Sequence, residues 1–367
     1  MKKLLLFILV VALLFVGCQN NRTEPEPEET ESPEPTTVVD NEPSPAPPEE
    51  EEALYHSEVI IVGADTEWAL EGILTMPLEA SAENPVPAVI LVHGSGPQDM
   101  DSTIVENRPF FDIADYLSAH GIAVIRYDKR TLVHGASMVE TLGGGLTVWE
   151  ETIEDAILAA EIARNDPRID ENRIFLLGHS LGGMLAPRIY HADEGGFAGL
   201  ILFAGSPRLL TDIILEQNNM VLEALEEGPE RELVQAQIDA LAEQIAGLSE
   251  MTAEEAQGMS FLGASAYYFT DLAAHPFADD VETVTVPILI MQGENDLQVL
   301  ADVDFAILIE LLGDRENVTL KLYEGLNHLF MPSFATTILE IGEEYAVLAH
   351  VDTQVLRDLV EWILGQA

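Results

Sequence analysis

Cysteine is almost missing from this chain: 367 residues contain one, Cys18. Internal disulfides and thiolate metal centres are thereby excluded. Lysine is nearly as scarce, and beyond Ala53 only Lys129 and Lys321 remain. With 16 Lys and Arg against 65 Asp and Glu, the formal net charge is −49. Such a field repels phosphate backbones and anionic headgroups, which argues against nucleic acid and acidic lipid as partners. There is no HExxH pair, no phosphate-cradling glycine loop and no repeat of solenoid period. The chemistry read below therefore calls for no metal and no cofactor.

What the chain does have begins with two segments outside any folded domain. Met1 to Gly17 reads MKKLLLFILVVALLFVG: two lysines, an apolar run, a small residue. This is a secretory signal layout. Its end, Phe15-Val16-Gly17-Cys18, resembles a bacterial lipobox, which implies that Cys18 carries a lipid and starts the mature chain. The alternative is an uncleaved membrane anchor. Gln19 to Glu52 is dominated by Pro and Glu and has almost nothing apolar to bury. It reads as a stiff spacer holding a domain off a membrane outside the cytoplasm. The spacer supplies only about a dozen of the acidic residues. The rest lie on the domain, as in proteins adapted to salty media.

From Ala53 onward strands and helices alternate. Glu58–Gly63 and Trp68–Met76 read as an antiparallel edge pair. Val86–Val92 is an unbroken apolar run, the mark of a strand buried on both faces. Further strands are expected at Ile122–Tyr127, Arg173–Leu177, Gly199–Phe203, Pro287–Met291 and Val318–Tyr323. Helical spacing covers Asn107–His120, Val148–Arg164, Leu181–Tyr190, Ala301–Leu312 and Val355–Leu364. Alternation of this kind implies an α/β domain with a mostly parallel central sheet and helices on both faces. One stretch breaks it. Pro207 to about Asp280 shows helical composition and no clear strand, punctuated by Gly228-Pro229. It is too long for a bare loop and reads as a helical cap over the strand ends, either a moving lid or a fixed excursion.

Gly178-His179-Ser180-Leu181-Gly182 is a G-x-S-x-G pentapeptide. By composition alone such a pattern arises in roughly one chain in ten of this length, so its surroundings decide. Here an apolar strand precedes it and a helix follows, the setting of a nucleophile elbow. A serine hydroxyl needs a base to activate it and a carboxylate to orient that base. In a strand–elbow–helix fold these follow in the chain order Ser, Asp or Glu, His. Asp296 lies just past the strand Pro287–Met291, and His328 follows the next strand in the loop Glu324–Phe330. Glu294, Asp302 and Asp304 compete for the carboxylate role, and His275 and His350 for the base. His179 is a poor partner for its own neighbour and is expected to pack. The oxyanion needs two backbone donors, for which Leu181 and Ser95 are the candidates. Ser95 lies in Val92-His93-Gly94-Ser95-Gly96-Pro97, after the first buried strand.

These residues together resemble the α/β-hydrolase superfamily across roughly Glu58 to Gly365. Within it, HGSGPQDMD (His93–Asp101) and RYDKR (Arg126–Arg130) are similar to a group of bacterial serine carboxylesterases. Met100 stands where the familiar form has Arg, and Thr131 where it has Gly. The pairs Asp99–Asp101 and Asp128–Arg130 are expected to be structural contacts, with pocket-edge groups as the alternative. The resemblance implies an α/β-hydrolase fold with a helical cap and hydrolysis of small carboxylic esters of short or medium acyl length through an acyl-enzyme. A thioesterase or a serine peptidase would use the same triad, and a lipoprotein that only binds could keep the same fold. Oligomeric state is open at this level.

Overall fold

The computed structural model of the chain describes residues 54–366. The signal, lipobox and spacer segments lie outside them. Strand β1 (Tyr55–Val62) pairs antiparallel with β2 (Leu70–Pro77) and forms one edge of the sheet. Then follow β3 (Val86–Val92), α1 (Pro109–Ala119), β4 (Ala123–Tyr127), α2 (Arg130–Leu142), α3 (Glu154–Asn165) and β5 (Ile169–His179). Next come α4 (Leu181–Ala192) and β6 (Gly199–Phe203). The eight-stranded sheet runs β1-β2-β4-β3-β5-β6-β9-β10, where β9 is Ile288–Gly293 and β10 is Val318–Tyr323. Every neighbouring pair from β4 through β10 is parallel.

Residues of β3 show why the sheet needs two covering layers. Ala88, Ile90 and Val92 face one core and Val89 and Leu91 the other, all fully buried. Side chains alternate across a strand, so an unbroken apolar run has to be covered on both sides. Ala156 and Ala160 of α3 and Leu185 and Ile189 of α4 cover the first face. Phe110, Ile113 and Leu117 of α1 cover the second, with Val355, Leu359 and Ile363 of the C-terminal helix.

The segment between β6 and β9 is mostly helical: α5 (Leu210–Ala224), α6 (Pro229–Leu248), α7 (Ala253–Gly258), α8 (Ala266–Ala274) and α9 (Phe277–Glu282). Gly228-Pro229 is where α6 begins, with proline in the first turn. The expectation of no strand needs one correction. Ser260–Phe261 (β7) and Ala264–Ser265 (β8) form a two-residue antiparallel ladder. It is too short for any period-2 pattern to announce it. Beyond β9 lie α10 (Ala306–Leu312), α11 (Ile341–Tyr345) and α12 (Thr353–Gly365). Among the described residues no helix is long and apolar enough to cross a membrane.

Candidate active site

Five parallel strands end on one edge of the sheet, and the loop after each brings a residue to the same place. Ser95 follows β3, Ser180 follows β5, Ser206 follows β6, Asp296 follows β9 and His328 follows β10. This is the carboxyl edge of the sheet, where strand order reverses at β3 and where open α/β sheets gather ligands.

Ser180 sits at φ 54°, ψ −115°, in a sharp turn between β5 and α4. A non-glycine residue held there costs about 1–3 kcal/mol. The turn is held by Ser180 N–H donating to Phe203 O at 2.9 Å and by Met184 N–H donating to Ser180 O at 3.0 Å. The flanking glycines are there for contact distance. A Cβ at Gly178 would lie 2.1 Å from Gly182 O, and one at Gly182 would lie 2.5 Å from Val92 O. Only glycine lets β5, α4 and the end of β3 approach this closely.

His328 and Asp296 are brought together. His328 Nδ1 and Asp296 Oδ2 are 2.7 Å apart, and both residues are buried. A carboxylate only accepts, so Nδ1 carries a proton, and the form of the ring that acts as a base has its lone pair on Nε2. Asp296 is itself held from three sides. Its Oδ1 accepts from the backbone N–H of Gln298 at 2.8 Å and of Val299 at 2.9 Å. Its Oδ2 also accepts from Gln292 Nε2 at 2.9 Å. His179 Nε2 is 3.0 Å from His328 O. Burial first, then the neighbouring His328, pushes the His179 pKa down to about 3. The neutral ring therefore donates Nε2–H to that carbonyl and braces the His328 loop from behind.

The rival residues lie elsewhere. Glu294, Asp302 and His275 are exposed. His350 is exposed and pairs with Asp112 at 3.0 Å. Asp304 is fully buried, but it is taken up by Arg208 at 2.8 Å and by the N–H of Leu300. Asp99, Asp101, Asp128 and Arg130 do not pair with one another. Asp101 holds Arg126 at 2.7 Å, Asp99 accepts from Thr103 N–H, Asp128 accepts from Met100 N–H, and Arg130 pairs with Glu154 and Asp155.

Ser180, His328, Ser95 and Leu181 line one cavity of about 30 Å³. Leu181 is the first residue of α4, so its N–H is free of the helix's own hydrogen bonds. Gly94 packs against Ser180, where a Cβ would lie 3.1 Å from that of the serine. Gly94 thus lies against the Ser180 side chain, and Ser95 lines the same cavity. Leu210, Ile213 and Gln217 of α5 close the cavity from above, and Gln217 Nε2 donates to Gln298 O at 2.9 Å. The cavity holds about one water molecule, whereas small-molecule sites run to about 300–1,000 Å³.

Some residues of this site escaped the sequence reading. Gln292 is a polar residue inside a strand that is otherwise apolar, which is a signal of its own. Gln217, Ser206 and Gln298 carried none, because only the tertiary fold brings α5 over the strand ends.

A model of the family described as "Serine aminopeptidase, S33" matches residues 83–332, a span that includes Ser180, Asp296 and His328. The chain is 36% identical over 296 residues to "Esterase EstD" of Thermotoga maritima, covering 80% of this chain and 65% of that protein. This chain therefore spans somewhat less than two thirds of that relative's length. Two solved structures share the fold at low identity. They are Est1E from Butyrivibrio proteoclasticus (16% identity, TM-score 0.51, 84% of this chain and 98% of that one) and a Pyrococcus horikoshii acylaminoacyl peptidase (14%, 0.52, 85% and 42%). Sheet order, elbow and family match agree, and the chain belongs to the serine aminopeptidase S33 family of α/β-hydrolases.

Proposed function

We propose that this protein is a serine hydrolase that cleaves small carboxylic esters through an acyl-enzyme. One observation carries the reading: His328, oriented by Asp296 at 2.7 Å, lines the same cavity as Ser180 and two backbone donors. In this reading Ser180 Oγ attacks the ester carbonyl while His328 Nε2 takes its proton. Asp296 stabilises the imidazolium, and the N–H groups of Leu181 and Ser95 hold the oxyanion. The tetrahedral intermediate collapses, and His328 returns the proton to the departing alcohol. Water then attacks the acyl-enzyme with His328 as base, releasing the acid and restoring the serine.

The likeness to an esterase supports the ester reading, and the family's description supports a peptidase as second reading. Ester cleavage is preferred because the esterase likeness spans 80% of this chain. The layout of Met1 to Cys18 supports attachment by lipid outside the cytoplasm, with the Gln19–Glu52 stretch as spacer.

The test is a panel of p-nitrophenyl esters beside aminoacyl anilides and thioesters. Ester turnover is expected to dominate, and Ser180→Ala or His328→Ala to lower kcat by about 10⁴- to 10⁶-fold. Full activity in Ser180→Ala would sink the assignment, and faster anilide than ester turnover would favour the peptidase.

A further inference from the structure

Lys129 is one of two lysines beyond Ala53, and unlike Lys321 it is buried. It follows β4, and its side chain runs beneath the loop after β3. Its Nζ donates to Gly94 O at 2.6 Å and pairs with Glu151 Oε1 at 2.6 Å. The other oxygen of Glu151 accepts from Tyr268 OH at 2.6 Å, and Tyr268 belongs to α8 of the cap. All three side chains are buried. A buried ion pair is not by itself more stable than a well-packed apolar replacement. Its presence here asks for another reason.

The reason lies in which carbonyl is gripped. Gly94 O belongs to the peptide whose N–H is that of Ser95. In a trans peptide these two groups point in opposite directions. An ammonium fixed behind Gly94 O therefore aims Ser95 N–H forward, into the cavity shared with Ser180, Leu181 and His328. The next carbonyl is pinned as well, since Gln98 Nε2 donates to Ser95 O at 3.0 Å. A cation on the carbonyl oxygen also polarises the peptide and makes its N–H a stronger donor.

We propose that Lys129 is a positioning residue of the oxyanion hole. Glu151 holds it, and Tyr268 ties it to the cap. It orients and polarises the Gly94–Ser95 peptide for the charge that develops on the substrate carbonyl. The proposal rests on the serine-hydrolase reading above and adds to it a residue that never touches the substrate.

The experiment measures kcat, KM and melting temperature on a short p-nitrophenyl ester, with affinity for an aryl trifluoromethyl ketone. The ketone adds Ser180 and places its oxyanion in the hole. Loss of one oxyanion donor outright costs about 10²–10³ in kcat, so misorienting one in Lys129→Met is expected to cost about 10- to 100-fold. KM should stay within about twofold, and ketone affinity should fall by the same factor as kcat. Lys129→Met/Glu151→Gln removes the stranded charge, and should recover melting temperature without recovering kcat. Tyr268→Phe should lower kcat and ketone affinity together, by about three- to tenfold. Recovery of kcat along with stability in the double variant would make Lys129 merely structural and overturn the proposal. Wild-type kcat and ketone affinity in Lys129→Met would do the same. If neither Lys129 variant folds, Tyr268→Phe decides alone, and unchanged values there overturn it. A wild-type enzyme that turns over no ester and forms no ketone adduct removes the serine-hydrolase reading and this proposal together. An active enzyme inactivated by Ser180→Ala but indifferent to Lys129 removes only the proposal.

Discussion

Burial disfavours protonation of His93 and His179. Each has its pKa pushed down to about 3, and for each burial is the largest cause. His93 is packed between Phe110 and Tyr127, and its Nε2–H donates to Asp99 O at 2.9 Å. Unfolding returns both to the ordinary value near 6.5. Between those values the unfolded chain binds more protons than the folded one, so stability falls as pH falls through this window. The stabilisation is fully present above about pH 6.5 and is lost progressively toward about pH 3. We expect the melting temperature of wild type to drop more steeply between pH 7 and 5 than that of His93→Gln, which keeps a donor for Asp99 O but cannot take up a proton. Equal slopes in scanning calorimetry would show that His93 does not set the acid sensitivity.

At the scale of elements, α5 walls the candidate site. The cavity beneath it is about 30 Å³ and Leu210, Ile213 and Gln217 line it, so the position of α5 is expected to limit the size of the acyl group. The tethers of α5 include Gln217 Nε2 to Gln298 O at 2.9 Å, directly beside the Asp296 turn, and Glu216 to Arg208 at 2.6 Å. A net hydrogen bond of about 1 kcal/mol corresponds to a roughly fivefold shift in an open–closed equilibrium. Gln217→Leu should therefore raise kcat/KM for a bulky acyl ester about three- to fivefold and change it little for an acetate ester. Stopped-flow comparison of the two esters reads this out, and equal factors for both would show that α5 does not gate. Other elements show what pattern alone conveys. Strands β3, β6 and β9 match their apolar runs closely, because burial on two faces leaves no other composition. Helix α2 gave no signal: of its 13 residues only Arg130 and Met138 are buried, and Gly135, a poor helix former, lies inside it. Strand β5 starts four residues before the expected Arg173, at Ile169, where polar residues on the exposed end hide it.

For the whole molecule, charge is the dominant fact. A net −49 cannot be distributed without like charges facing one another, and self-repulsion favours the unfolded chain. Among the described residues most of the few cations are already committed: Lys129, Lys321, Arg108, Arg126, Arg130, Arg164, Arg168, Arg188, Arg208 and Arg231 all sit in ion pairs. Little is left to neutralise the rest. Raising ionic strength from 0.1 to 1 M shortens the screening length from about 10 to about 3 Å, and should raise the melting temperature by about 5 °C or more. A flat or falling curve in sodium chloride would rule out a salt-adapted surface.

Ser180, Asp296 and His328 stand out in the sequence because their signals are local: an apolar strand, a turn of fixed glycine spacing, a polar turn after a strand. Each strand end is written in a few consecutive residues, and the parallel sheet then has no choice but to bring those ends to one edge. What no sequence pattern could convey is what crosses between elements far apart in the chain. The bond from Gln217 to Gln298, the brace of His179 on the His328 loop and the line from Tyr268 through Glu151 and Lys129 to Gly94 each join segments with no common periodicity. Hydrophobic periodicity reports which face of an element is buried. Only packing decides which polar group, once buried there, meets which partner.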